Sequence, residues 1–186
     1  MLQREIYFFG KLNQSRDFIV SANLEADDKN FWDGWFGRCV NQNGLIPFVK
    51  KSFVVPRIWL FCVKLPDGSA YTGLTALSSD LTGRRYPFLL FCKLSSFLYL
   101  SESIHFIAGK TDFFRHVLSD GKCTIQEKDF FNTDDYLTSH ALSEPFLGFL
   151  SNNTSDKSFW VEDESGRYVE HDGQPSCALF NKLFGL

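Results

Sequence analysis

The chain has 186 residues, 44% hydrophobic and 22% charged, with a formal net charge of −3. That composition suits one globular domain, spanning 1–186, with a full core. The acidic balance argues against nucleic-acid binding, since Arg84-Arg85 and Lys50-Lys51 are too short to form a basic patch. No apolar run approaches the ~18 residues of a membrane span, so no direct membrane insertion is expected.

Residues 5–9 read as a strand, ended by Gly10, which suits a turn or a close backbone approach. Residues 28–41 read as a helix. Trp32, Trp35, Phe36, Cys39 and Val40 fall on one apolar face, and Asp27 or Asp28 can cap the start. Residues 57–65 are a continuously apolar run, the mark of a strand buried on both faces. Pro66-Asp67-Gly68-Ser69 is a tight turn, returning the chain as a strand over 70–77. A polar loop covers 78–85, and 86–93 is a second doubly buried strand.

The second half gives fewer signals. A capped helix is expected over 111–118, ending near Gly121, and another from Asp129 to Leu142. Residues 152–157 form a loop, 159–162 and 167–170 pair as a hairpin around Glu164-Ser165-Gly166, and Ser176 to Phe184 is a C-terminal helix. The expected fold class is α+β, an antiparallel-rich central sheet with helices on both faces, in a profilin- or longin-like layout.

The 21 phenylalanines imply a bulky aromatic core. Cys39, Cys62, Cys92, Cys123 and Cys177 are odd in number and lack a Cys-x-x-Cys pair. They read as reduced thiols in a cytoplasmic protein. Arg4 and Glu5 interrupt the start and no cleavage site follows, so no signal peptide is expected. His105, His116, His140 and His171 lie far apart, so neither a metal nor another cofactor is expected.

Ser78 and Ser79 beside Asp80 could serve a small hydrolase or phosphatase. Against that, there is no Gly-x-Ser-x-Gly elbow, and such residues more often hold a turn through backbone amides. Arg84 is expected to pair internally with Asp17, Asp33 or Asp80, clamping its loop to the N-terminal segment. Trp32 and Trp35, three apart on a helix, read as core.

Several short motifs recur in a fixed order: Gly10-Lys11-Leu12, Asp17-Phe18, Trp32-Asp33-Gly34-Trp35, Pro56 with Trp59 and Phe61, Ser79-Asp80 with Gly83-Arg84, and Pro87-Phe88. In this order they resemble the TagF (ImpM) family of bacterial type VI secretion accessory proteins. That family reads Gly-Lys-Leu-Pro, Gly-Asp-Phe, Trp-Asp-x-Trp, Pro-x-Trp-x-Phe and Pro-Ser-x-Asp-x-x-Gly-Arg. The chain departs at Asn13, Arg16 and Ala76-Leu77, where the family has proline, glycine and Met-Pro. The resemblance implies a non-enzymatic, post-translational repressor that binds the forkhead-associated scaffold of the secretion system. It further implies that Gly10, Lys11, Leu12, Asp17, Phe18, Trp32, Asp33, Trp35, Ser79, Asp80, Gly83 and Arg84 form a structural or partner-binding set. A passive structural subunit of the secretion machine is a third reading.

Overall fold

A computed structural model describes residues 5–12, 15–42, 56–120, 125–130 and 143–185. Its strands are β1 (Tyr7–Gly10), β2 (Ile19–Val20), β3 (Trp59–Lys64), β4 (Ala70–Ser79), β5 (Arg85–Leu94), β6 (Lys157–Glu162) and β7 (Tyr168–Asp172). Among the described residues they form one seven-stranded antiparallel sheet, ordered β2-β1-β5-β4-β3-β6-β7. The helices are α1 (Ala26–Gln42), α2 (Leu100–Ala108), α3 (Thr111–Asp120), α4 (Glu144–Ser151) and α5 (Cys177–Phe184). The expected α+β architecture, with helices on both sheet faces, is what the chain adopts.

Strand alternation divides the core in two. Phe8, Leu60, Cys62, Leu74, Phe88 and Leu90 point to one face, under α2, α3 and α4. Phe9, Trp59, Phe61, Leu89, Phe91 and Trp160 point to the other, under α1 and α5. This double burial explains the unbroken apolar runs in β3 and β5: neither face meets water, so no polar alternation is required. Trp59, Phe61, Phe88, Leu90 and Cys92 are all buried.

The aromatic face is a packed stack. Trp32 on α1 meets Phe61 at 5.3 Å and Phe91 at 5.8 Å between ring centroids. Trp35 meets Trp160 at 5.6 Å. The side chain of Trp35 donates through Nε1 to the Ser176 carbonyl at 2.9 Å, and Trp59 does the same to Leu183 at 2.8 Å. Both indoles thus anchor α5. Its first turn is closed by Ser176 Oγ, which accepts from the Leu179 amide at 3.2 Å.

Three expectations need correction. Cys39 and Cys177 are bonded as a disulfide, with Cα atoms 5.1 Å apart across a sequence separation of 138. They are not reduced thiols: α1 and α5 pack side by side, a proximity that sequence spacing does not carry. Cys62 and Cys92 are buried and outside the disulfide, as expected. Secondly, α1 starts at Ala26, so Asp28 lies within its first turn rather than capping it. Its buried carboxylate accepts from Tyr71 Oη and Lys93 Nζ, each at 2.7 Å. Thirdly, the 57–65 run contains a buried charge, Lys64. The helix expected from Asp129 to Leu142 falls largely outside the described residues; Asp129 itself lies in a short 3-10 turn, Glu127–Phe130.

Candidate functional site

The loop between β4 and β5 is built around one carboxylate. Asp80 and Arg84 close it through Asp80 N to Arg84 O at 2.9 Å. Gly83 turns the chain with φ +82°, a region glycine enters without steric cost. Asp80 Oδ1 accepts from the Thr82 amide at 3.0 Å, the Thr82 hydroxyl at 2.7 Å and the Arg84 amide at 3.0 Å. Its Oδ2 accepts from Arg84 Nε at 2.7 Å and Lys11 Nζ at 2.8 Å.

Lys11 reaches this carboxylate because Gly10 lets β1 lie against β5. The Gly10 φ is +135°, and a Cβ there would stand 2.1 Å from the Pro87 carbonyl oxygen. Only glycine permits that approach. The Lys11–Asp80 pair is buried, with side-chain exposures of 9% and 0%. Burial would raise the pKa of Asp80, but the hydrogen bonds from Lys11, Thr82 and Arg84 outweigh it and hold the carboxyl well below the usual carboxylate range.

Phe18 roofs the pair. Its ring stacks on Phe9 at 5.2 Å, meets Tyr86 edge-on at 4.8 Å, and lies 5.0 Å from Lys11 Nζ. Tyr86 in turn donates to Asp33 Oδ1 at 2.6 Å, joining α1 to the start of β5. Burial first, then the Asp33 carboxylate, pushes the Tyr86 phenol well above its ordinary range. Two further bonds tie the loop to the N-terminal segment: Leu81 N to Ser15 O at 3.1 Å, and Arg84 Nη2 to Arg16 O at 3.2 Å.

Gly10, Lys11, Leu12, Phe18, Ser79, Asp80, Gly83 and Arg84 therefore gather at one corner of the sheet. Asp33 joins them through Tyr86. Trp32 and Trp35 sit behind, in the core, as expected. Asp17 is exposed and makes no ion pair with a described residue. Arg84 does pair with Asp80, as expected, and also reaches the Arg16 carbonyl; Lys11 supplies the buried ionic bridge between loop and N-terminal segment. Ser15, Thr82 and Tyr86 complete the node and were missed as site residues. Only the polar tyrosine opening an apolar strand hinted at one of them. Among the described residues no group of three or more His, Cys, Asp or Glu is placed to hold a metal. No helix among them is long and apolar enough to cross a membrane.

These features define a mixed α+β domain in which a buried polar clasp ties an N-terminal strand to the β4–β5 loop. The chain belongs to the TagF family: the family model for the TagF N-terminal domain, type VI secretion system-associated, matches residues 7–130. A solved structure, PA0076 from Pseudomonas aeruginosa PAO1, aligns with a TM-score of 0.57 at 17% identity, over 97% of this chain and 94% of that one. At that identity the likeness shows a shared fold, and it extends past the family-model region into β6, β7 and α5. A comparison of the sequence with curated proteins finds no match.

Proposed function

We propose that this TagF-family protein silences type VI secretion by binding the forkhead-associated scaffold stoichiometrically in the cytoplasm, with no turnover of its own. The observation that carries this reading is the saturation of Asp80. Five hydrogen bonds occupy its carboxylate. A carboxylate so engaged, and held strongly ionised, is a poor partner for an activated serine at Ser78 or Ser79. Its role is to rigidify a loop that presents its rim to solvent, which favours recognition over hydrolysis. Thiols are normally kept reduced in the cytoplasm, so the Cys39–Cys177 bond requires an oxidising episode there.

Overproduction in cells with an active secretion system is expected to lower release of the machine's tube protein into the medium. Repression should scale with the ratio of this protein to the scaffold, because a stoichiometric inhibitor cannot silence an excess of target. Full repression at a small fraction of the scaffold's concentration would point to catalysis and sink the proposal.

A further inference from the structure

The helix α5 is short, and a covalent bond holds its first residue to α1. It has 8 residues and buries Leu179, Phe180 and Leu183. The Trp35 indole meets its start at the Ser176 carbonyl, and the Trp59 indole meets its end at the Leu183 carbonyl. Residues 173–176 lead into it from β7. The Cys39–Cys177 bond is added to these holds. Its two halves are not equivalent. Cys39 is fully buried, at 0% exposure, whereas Cys177 is half-buried at the helix start. The amides of a helix's first turn favour negative charge, which favours a thiolate at Cys177 over one at Cys39.

From this asymmetry we infer that Cys39–Cys177 is a reversible redox latch. Closed, it seats α5 on α1; reduced, it lets α5 lift from Trp35 and Trp59 while the sheet stays folded. The inference adds a regulated element to the silencing reading above and rests on that reading for its cytoplasmic setting. A dithiol reductant opens the latch. One of its thiolates attacks Cys177 Sγ, on the less buried of the two residues; the S–S bond breaks and Cys39 leaves as a thiolate that takes up a proton. The reductant's second thiol then attacks its own sulfur in the mixed disulfide and expels the Cys177 thiolate. The reductant has given two electrons and become a disulfide. Protonated Cys39 remains in the core as a small apolar side chain. A peroxide closes the latch again. The Cys177 thiolate takes one peroxide oxygen and, with a proton from solvent, releases an alcohol or water. The Cys39 thiol then attacks the sulfenic acid, restoring the S–S bond with loss of water.

Amide exchange of the full chain tests the latch. Dithiothreitol should speed exchange in α5 about tenfold or more, as release of a local unit does, and leave β3, β4 and β5 unchanged. Cys177→Ser should match the reduced wild type. Hydrogen peroxide should restore protection in the wild type and not in the variant. Unchanged α5 exchange on reduction overturns the latch. So does an equal rise in β3, β4 and β5, which would make the bond a staple of the whole fold. In cells carrying the secretion system, acid quenching, alkylation and mapping of the Cys39 and Cys177 peptides should find the pair reduced at rest and bonded after a peroxide dose. A pair that stays in one state throughout overturns the latch; if overproduction still lowers tube-protein release, the silencing reading stands. A pair that cycles while overproduction leaves release unchanged keeps the latch and removes silencing.

Discussion

At Asp80 a single carboxyl group takes the ion pair from a lysine 69 residues away. Asp80→Asn removes the charge and leaves Lys11 Nζ buried without its counter-ion. Breaking a buried pair in this way costs about 3–5 kcal/mol, which chemical denaturation at neutral pH should record. The pH dependence follows from the depressed folded pKa. Such a group contributes stability that is present above the unfolded carboxylate range, near about 4, and is lost as pH falls through the folded value. The wild-type protein should therefore lose stability steeply on acidification below about pH 4, and Asp80→Asn should flatten that limb. An unchanged acid limb in the variant would remove Asp80 as its source. Sequence reading placed the loop and the N-terminal motif in one node, because both carry charged residues with few other uses. It named Arg84, which does meet Asp80 and the Arg16 carbonyl, but missed Lys11, whose reach to the carboxylate is set by how Gly10 lets β1 approach β5.

At the scale of elements, α4 is held by an unexpected hook. Lys64 Nζ donates to the Phe149 carbonyl at 2.6 Å and to the Asn152 carbonyl, and lies 4.5 Å from the Phe149 ring centroid. The last carbonyls of a helix are otherwise unsatisfied and carry partial negative charge, so a cation there is favourable. Lys64→Met keeps much of the apolar stem but abandons those carbonyls. It should cost about 1–3 kcal/mol and raise amide exchange in α4 above that in α2. Equal protection of the two helices in the variant would count against the hook. Strands β3, β4 and β5 were legible because long apolar runs have few alternatives to a sheet covered on both faces. The helices α2 and α4 were not foreseen: each spans only 9 or 8 residues, too little periodicity to stand out in so apolar a chain. The two-residue β2 gives no pattern at all.

Across the whole molecule, the disulfide is the longest-range constraint. It closes a separation of 138 residues, for which restriction of the unfolded chain contributes about 2–5 kcal/mol. Reduction should lower the melting temperature without abolishing the fold, because Leu179, Phe180 and Leu183 remain buried under α1's neighbours and both indole anchors persist. Thiol titration in denaturant checks the bond directly. Cys62 and Cys92 should react before reduction, and Cys39 and Cys177 only after it. Reaction of Cys39 and Cys177 from the start would show that the purified protein holds the pair reduced. Sequence could not reveal this pairing, because it depends on where α5 lands after the chain has laid down the rest of the sheet.

The same bond changes what the molecule is as a covalent object. Residues 39 to 177 form a closed ring that contains β3 to β7 and the helices between them, while β1, β2, most of α1 and most of α5 are arms attached to it. The arm bearing Lys11 threads its strand onto the ring through β5. A single backbone cut anywhere in the ring opens it without dividing the molecule, so both fragments stay together until a reductant arrives. A cut in the N-terminal arm, by contrast, leaves the Lys11 side of the clasp held by noncovalent contacts alone, its pairing with β5 and the Asp80 ion pair. Damage and its consequence are thus separated by redox state in one part of the chain and not in the other.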